Sequence, residues 1–313
     1  MESAKPLDQS SSMGSASGMD RKPNLDALGV VAMLCFATLF AFNQVVIKVS
    51  IEGIQPVFLA GLRSFIGLGA LGLWMWYRGV SPRMTKGQIW GGLLVGALFS
   101  LEFLCLFLAL DLTSVSRASV IFYTMPIWLG LIAHFVLPGE RLSGIRLLGF
   151  SLAICGVAWA FLDRSSGEVS LLGDILALVA ALCWAGIALA VRLTPLSGAR
   201  AEVQLMSQLM FSAVAFFALA PFFGPLLRDV GSIHIAGLLF QSIIVILFGF
   251  LLWFAVMKVY PATDIAAFSF LSPVLSVLMG WWLLGEHIGI EVIGALVLVC
   301  LGLVLISRRA QSS

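Results

Sequence analysis

The chain has 313 residues, of which 60% are hydrophobic and 11% charged, with a formal net charge of +2 and a mean hydropathy of +1.06. A soluble domain carries about 25% charged residues, so most of this chain belongs in lipid, and so small a net charge makes no case for nucleic acid or for an acidic partner. The five cysteines all fall in apolar stretches with no CxxC run or Cys/His cluster, which excludes a sequence-readable zinc site or disulfide framework.

Residues 1–24 are polar and Ser-rich, without an apolar core behind a basic start, and read as a disordered cytoplasmic tail rather than a secretory signal. A spanning helix needs about 20 mainly apolar residues. Ten segments meet this: roughly 28–48, 56–77, 88–110, 115–137, 143–162, 172–192, 202–223, 235–257, 262–284 and 288–307. Most connections are a few residues long. The polar stretch 163–170 (LDRSSGEVS with its leading Leu) separates the fifth segment from the sixth, and residues 308–313 form a second cytoplasmic tail. With the N-terminus inside, twelve Lys and Arg fall on the inner side and only Lys48, Arg117, Arg164 and Arg228 on the outer. That asymmetry predicts both termini inside. Trp74, Trp76 and Trp90 then sit at one interface and Trp281 and Trp282 at the other, as aromatic belts do.

The chain repeats itself. Pro126, Gly139-Glu140 and Gly156 recur in order as Pro273, Gly285-Glu286 and Gly302, about 147 residues on, and Asp26…Cys35-Phe36 matches Asp174…Cys183-Trp184 at a shift of 148. Five spans is an odd number, so the second copy (171–307) crosses the membrane upside down relative to the first (25–163). Inverted repeats of this kind build secondary transporters, with substrate near the midplane between the halves. The expected fold is therefore all-α and integral to the membrane, with ten transmembrane helices as two inverted five-helix repeats.

The stretch FNQVVIKVSIEGIQPVFLAGLRSFIGL (42–68), with Asn43, Lys48, Pro56 and Arg63 in order, resembles the opening signature of EamA-type carriers in the drug/metabolite transporter superfamily. The Pro…Gly-Glu-Arg-Leu…Gly run at 126–156 and its degenerate copy at 273–302 resemble the same family. The resemblance covers about residues 26–307 and departs from the family in helix 1, where Phe36-Ala37 and Phe42-Asn43 stand in place of Trp-Gly. It implies a carrier of small metabolites, often an exporter of amino acids or related compounds, in a bacterial inner membrane.

Ionisable groups inside a span are costly and are functional candidates by default. Arg63 on helix 2 lies about 12 Å from its outer end at 1.5 Å per residue, and Glu102 on helix 3 lies at similar depth. They are expected to pair, with Arg63 binding a substrate carboxylate and Glu102 coupling transport to protons; the competing reading is a purely structural ion pair. The second half has Gly249 where Glu102 would align. Helix 7 carries Gln204, read as interhelical glue, and Gln208, read as a site residue. Asn43 and Gln44 on helix 1, Tyr123 before Pro126, and Ser269 and Ser272 before Pro273 complete the polar candidates, with Trp184 as an aromatic wall. Thr124 is expected to bond back to its own helix. Pro126 and Pro273 are candidate hinges, because a proline frees a carbonyl one turn earlier.

Other polar residues read as structural. Glu140 and Glu286 are expected to cap the helix that follows each of them. Lys48, Arg117, Lys258 and Asp264 sit at helix ends and are read as interfacial anchors, and His134 as packing. Gly91, Gly92, Gly96, Gly67, Gly69 and Gly72 are read as close-approach surfaces. Helices 5 and 10 are expected to be peripheral, supporting or oligomer-forming. The expected function is alternating-access export of a small metabolite, passive or ion-coupled, since no GxxxxGK[ST] run is present for ATP. The chain is not expected to be an enzyme or to carry a cofactor or metal. Its partners are the substrate, lipid and, as a coupling ion, protons, in a monomer or homodimer. A nucleotide-sugar or phosphate-type antiporter is the alternative carrier, but it calls for several cavity-facing cations; a membrane enzyme ranks below it.

Overall fold

A computed structural model describes residues 26–136, 144–162, 170–250 and 270–307, with positions 252, 256, 259 and 260. Eleven α-helices are present among them: α1 (Ala27–Gly53), α2 (Pro56–Tyr77), α3 (Lys86–Leu112), α4 (Val115–Phe122), α5 (Met125–Val136), α6 (Gly144–Leu162), α7 (Leu171–Leu193), α8 (Ala201–Leu219), α9 (Ser232–Leu239), α10 (Leu271–Leu284) and α11 (Ile290–Ser307). Helix starts follow from side chains that satisfy the first free N–H groups. Asp26 accepts from Gly29 N at 2.9 Å, and Ser114 and Ser170 serve α4 and α7 in the same way. Gln55 accepts from Phe58 N at 2.6 Å, with Pro56 at the first helical position. Thr85 and Gln88 form a reciprocal capping box on α3.

Among the described residues, eight helical stretches are long and apolar enough to cross a membrane, counting Val115–Val136 as one; Leu271–Leu284 and Ile290–Ile306 are shorter apolar helices. Phe65, Trp76, Trp90, Phe135, Leu162, Phe222 and Trp282 are all more than half exposed. So much large apolar surface turned outward suits lipid, not water.

Two helices depart from the expected straight spans. The fourth breaks at Tyr123-Thr124, two residues before Pro126, and continues as α5. There the Ile121 carbonyl is taken by Thr124, through its N–H at 3.1 Å and its hydroxyl at 2.5 Å. The eighth runs from α9 into a π-helical stretch, Phe240–Gly249, which no hydrophobic period would reveal.

Packing partners form a closed circuit. α1 packs on α10, α10 on α4, α4 and α5 on α7, α7 on α3, α3 on α8, α8 on α2, and α2 on the π segment, while α9 returns to α1. α6 and α11 pack chiefly on each other. A Cβ on Gly302 would lie 2.6 Å from Gly149 O, and one on Gly149 2.8 Å from Gly302 O, so these two backbones touch. Gly96 meets Phe211 and Gly91 meets Thr194 in the same way, and Gly67 is packed by Ile246. Gly69 and Gly72, expected to be packing surfaces too, face open space.

The Gly-Glu pair at the end of α10 has a specific geometry. Gly285 adopts φ 67, which side chains resist. Gly285 N donates to Trp281 O, the single bond of a left-handed helix cap, and Glu286 N donates to Gly280 O. Glu286 is then aimed not at the helix after it, as expected, but at the start of α4. It accepts from Val115 N at 2.5 Å, Ser116 N at 2.9 Å and Ser116 Oγ at 2.5 Å. Gly139-Glu140 lies outside the described residues.

The residues read as anchors serve other ends. Lys48 donates to Leu110 O at 2.7 Å and Thr113 O at 3.0 Å, closing the carbonyl end of α3. Arg117 is 2% exposed and pairs with Asp174, which is 0% exposed. Nε and Nη2 each lie 2.8 Å from one carboxylate oxygen, and Nη2 also donates to Ala160 O. This pair ties α4 to α6 and α7. Asp26, the repeat partner of Asp174, accepts from Tyr260 Oη at 2.6 Å. Lys258 and Asp264 lie outside the described residues. Cys105 and Cys183 are buried, whereas Cys35 and Cys155 are exposed.

Candidate functional site

Among the described residues, several polar side-chain atoms are buried without a partner. Arg63 is 1% exposed. Its Nε and Nη1 are buried without a hydrogen-bond acceptor, and its guanidinium lies 4.1 Å from the Phe103 ring centroid and 6.0 Å from that of Phe107. Cation–π contact offsets part of the burial cost, but it satisfies no N–H. Glu102, one residue before Phe103 on α3, is also buried. The two charges are near enough to act on each other. They do not form the expected ion pair: no N···O contact within 4.0 Å joins them. The Phe103 ring, not the Glu102 carboxyl, lies against the guanidinium. What sequence reasoning described as a closed ion pair is a guanidinium and a carboxyl without a direct contact.

Several of the remaining candidates are buried as well. Asn43 Oδ1, Gln44 Oε1 and Tyr123 Oη are buried without a partner. Tyr123 Oη is approached by Gln44 from α1 and by Ser276 from α10, without closing a hydrogen bond to either. Ser276 Oγ is itself unpartnered; sequence reading missed this residue because it stands one turn beyond the Ser272-Pro273 pair that drew attention. Ser272 and Gln208 are buried. Ser269 lies outside the described residues. Trp184 stacks on Phe122 with ring centroids 5.0 Å apart and meets Tyr123 edge-on at 6.3 Å. Phe99, Phe103 and Phe107 continue the aromatic wall along α3. Gln204 donates to Leu196 O and Ala199 O, bracing the turn before its own helix instead of gluing two spans together as expected. In the second half, a Cβ at Gly249 would lie 3.0 Å from the Phe40 ring, so an aromatic fills the place equivalent to Glu102.

Of the candidate hinges, Pro126 lies at the observed break between α4 and α5, beside Tyr123. Pro273 stands in the first turn of α10, where a missing N–H costs little. A separate recess of about 580 Å³ between α10 and α11, lined in part by Val277, Trp281, Glu286 and His287, shares no residue with the polar cluster. Chemically, the cluster offers one fixed cation, one carboxyl, several neutral hydrogen-bonding groups and an aromatic wall.

Comparison with known proteins agrees with this inventory. Two stretches, residues 27–162 and 171–308, each match the EamA-like transporter family. An uncharacterised transporter of Bacillus subtilis, YoaV, is 27% identical over 88% of this chain and 94% of its own length. A probable amino-acid metabolite efflux pump of Escherichia coli is 30% identical over 88% of this chain and 93% of its own, and a Salmonella typhimurium protein of the same description is 29% identical over 91% and 94%. A solved crystal structure, 22% identical, superposes with a TM-score of 0.63 over 90% of this chain and 97% of its own, which shows a common fold.

Proposed function

Because the chain belongs to the EamA-like transporter family, we propose that it exports small zwitterionic metabolites, amino acids or related compounds, across a bacterial inner membrane by alternating access. The observation that carries this reading is Arg63, a buried guanidinium with two N–H groups unsatisfied beside a carboxyl that is not bonded to it. An arginine keeps its charge, and each buried unsatisfied polar group costs about 1–3 kcal/mol. A substrate carboxylate arriving at Nε and Nη1 removes that cost twice over. The substrate ammonium then faces Glu102, and its side chain lies along Phe122, Tyr123 and Trp184. Glu102 takes up a proton when the substrate leaves, so that transport couples to the proton gradient.

Ten spans in two inverted halves, 25–163 and 171–307 with both termini inside, provide the two access states. The packing circuit supports this. Exchanging each span for its equivalent five places along converts α1·α10 contact into α7·α4, α1·α9 into α7·α3 and α2·π into α8·α3, all of which occur, and leaves α2·α8 and α6·α11 unchanged. Of the two arginines buried as whole residues among those described, Arg117 is paired with Asp174 and Arg63 has two N–H groups without an acceptor, which favours a single carboxylate ligand over the polyanions of a nucleotide-sugar antiporter.

Proteoliposomes loaded with a panel of amino acids test the reading, with and without a pH gradient. Saturable efflux should disappear in Arg63→Gln, and Glu102→Gln should transport without responding to the gradient. Wild-type vesicles that move no panel member, or an Arg63→Gln protein that transports normally, would refute it.

A further inference from the structure

Two cations hold the same helix end. Lys48, near the end of α1, donates to Leu110 O at 2.7 Å and Thr113 O at 3.0 Å, carbonyls in the last turn of α3. Arg228 grips Asp111 in that turn with both terminal nitrogens, Nη1 at 2.9 Å and Nη2 at 3.0 Å, and Nη1 also donates to Ile51 O of α1 at 3.0 Å. A cation at the carbonyl end of a helix is favourable in any protein. What is particular here is which helices are joined. α1 and α3 stand on opposite sides of the packing circuit, with α10, α4 and α7 between them one way and the π segment, α2 and α8 the other. A bond from one to the other crosses the space that the circuit encloses.

Arg228 belongs to the strap 224–231 that leads from the end of the α8 span to α9. Backbone bonds fix this strap on the α1–α2 turn. Ile54 and Leu227 form an antiparallel bridge, Gln55 N donates to Leu226 O at 3.1 Å, and Arg228 N donates to Gly53 O at 2.9 Å. The Arg228 side chain then reaches on to α3. The bundle is also tightest at this end, which is the outer end in the topology proposed above. All eight residues of α4 are buried, whereas α5, which continues it toward the other end, buries Ile127 and Ala133. α1 buries Gly29, Met33 and Ala37 in its first half and most of residues 41–53 in its second.

We propose that Lys48, Arg228 and Asp111 form the outer gate of the carrier: they hold α3 to α1 across the enclosed space, and they release α3 when the carrier opens outward. The inference rests on alternating access with the termini inside, and not on the choice of substrate. The strength of the contacts suits the role. The Arg228 side chain is 40% exposed and that of Asp111 26%, so water takes over both charges as they part, and an exposed pair of this kind is weak. The Arg117–Asp174 pair, at 2% and 0%, has no such outlet and stays closed. The backbone bonds of the strap stay as well, and they keep Arg228 in position to take hold of α3 again.

Spin labels report the gate. Glu52→Cys and Leu112→Cys put one label in the last turn of α1 and one at the end of α3, both at exposed positions. Cys35→Ser, Cys155→Ser and Cys300→Ser remove the thiols that are not buried. Double electron–electron resonance on the full-length protein in nanodiscs then gives the distance between the labels. The wild type should show mainly a short distance. Arg228→Glu turns attraction into repulsion and should raise the share of a longer distance by about fivefold, the upper value for one exposed ion pair. Adding Asp111→Arg restores the pair and should bring the short distance back. Lys48→Met should lengthen the distance too, and melting should stay near that of the wild type throughout. An unchanged distance in Arg228→Glu or in Lys48→Met overturns the proposal. So does a longer distance that Asp111→Arg fails to reverse, or a lower melting temperature without opening, the mark of a static brace. No substrate is present, so an amino-acid panel that is not transported leaves this result standing, and failure here leaves the Arg63 site untouched.

Discussion

The Asp174 carboxylate can be removed with almost no change of shape by Asp174→Asn. Arg117 would then stay buried at 2% exposure, having lost the negative charge that two of its nitrogens now face at 2.8 Å. The Ala160 carbonyl remains, but it is a neutral acceptor and carries no opposing charge. Removing one partner of a buried ion pair costs about 3–5 kcal/mol, because the other is left uncompensated. At about 2–4 °C per kcal/mol for a large chain, the melting temperature in detergent should fall by on the order of 10 °C, read by fluorescence-detected size exclusion after heating. The double variant Arg117→Met, Asp174→Leu removes both charges and should recover most of the loss, since a well-packed apolar pair is often as stable as the ion pair it replaces. A single variant that melts with the wild type, or a double variant that melts lower still, would refute the assignment of this pair to holding α4 and α7 together.

Gly302→Leu should separate α6 from α11, because even a Cβ there would meet Gly149 O at 2.6 Å; a lower melting temperature, or loss of folded protein on size exclusion, is the expected outcome. Glu286→Gln keeps one acceptor for Val115 or Ser116 but loses the charge at the positive end of α4, so a loss of about 1–2 kcal/mol is expected, at the upper end for a partly buried site. Asp111→Asn should cost no more than about 1 kcal/mol, as exposed pairs do, for Arg228 is 40% exposed. Its hydrogen bond to Asp111 raises the Arg228 pKa further above its ordinary value. A raised folded-state value gives stability that is present below the unfolded value and lost only above it, so the arginine adds no pH dependence to melting in the neutral range. Melting curves at several pH values check this.

Helix positions were legible because hydrophobic length is a one-dimensional property. Pro56–Tyr77 matches the expected 56–77, and the first, third and sixth spans begin within a few residues of expectation, where Asp26, Thr85 and Ser170 cap the chain; the expected ends at 137, 143, 257 and 262 lie outside the described residues. Partners are not one-dimensional. Arg117 finds Asp174 across 57 residues and Ser116 finds Glu286 across 170, and no periodicity encodes such distances. A charge near a helix end was therefore read as facing the interface when it closes a neighbouring helix or an ion pair. The Gly-Glu repeat was visible, but its purpose needed the left-handed Gly285 that turns the carboxylate toward α4. The break at Tyr123 followed from Pro126, whereas the π segment has no comparable marker in FQSIIVILFG. Burial of Arg63 and Glu102 followed from their depth in apolar spans. Their failure to pair did not, because it turns on Phe103 lying over the guanidinium.

The ring of Phe40 against Gly249 bears on the energetics of transport. An acid cannot be accommodated there without displacing the aromatic, so the two halves resemble each other in shape while differing in the charge they can hold. Where Glu102 carries the coupling, one carboxyl sets a stoichiometry of one proton per cycle. Under that proposed coupling, a proton would contribute about 1.4 kcal/mol per pH unit and about 2.3 kcal/mol per 100 mV of membrane potential, so a single carboxyl in one half would draw on both parts of the gradient.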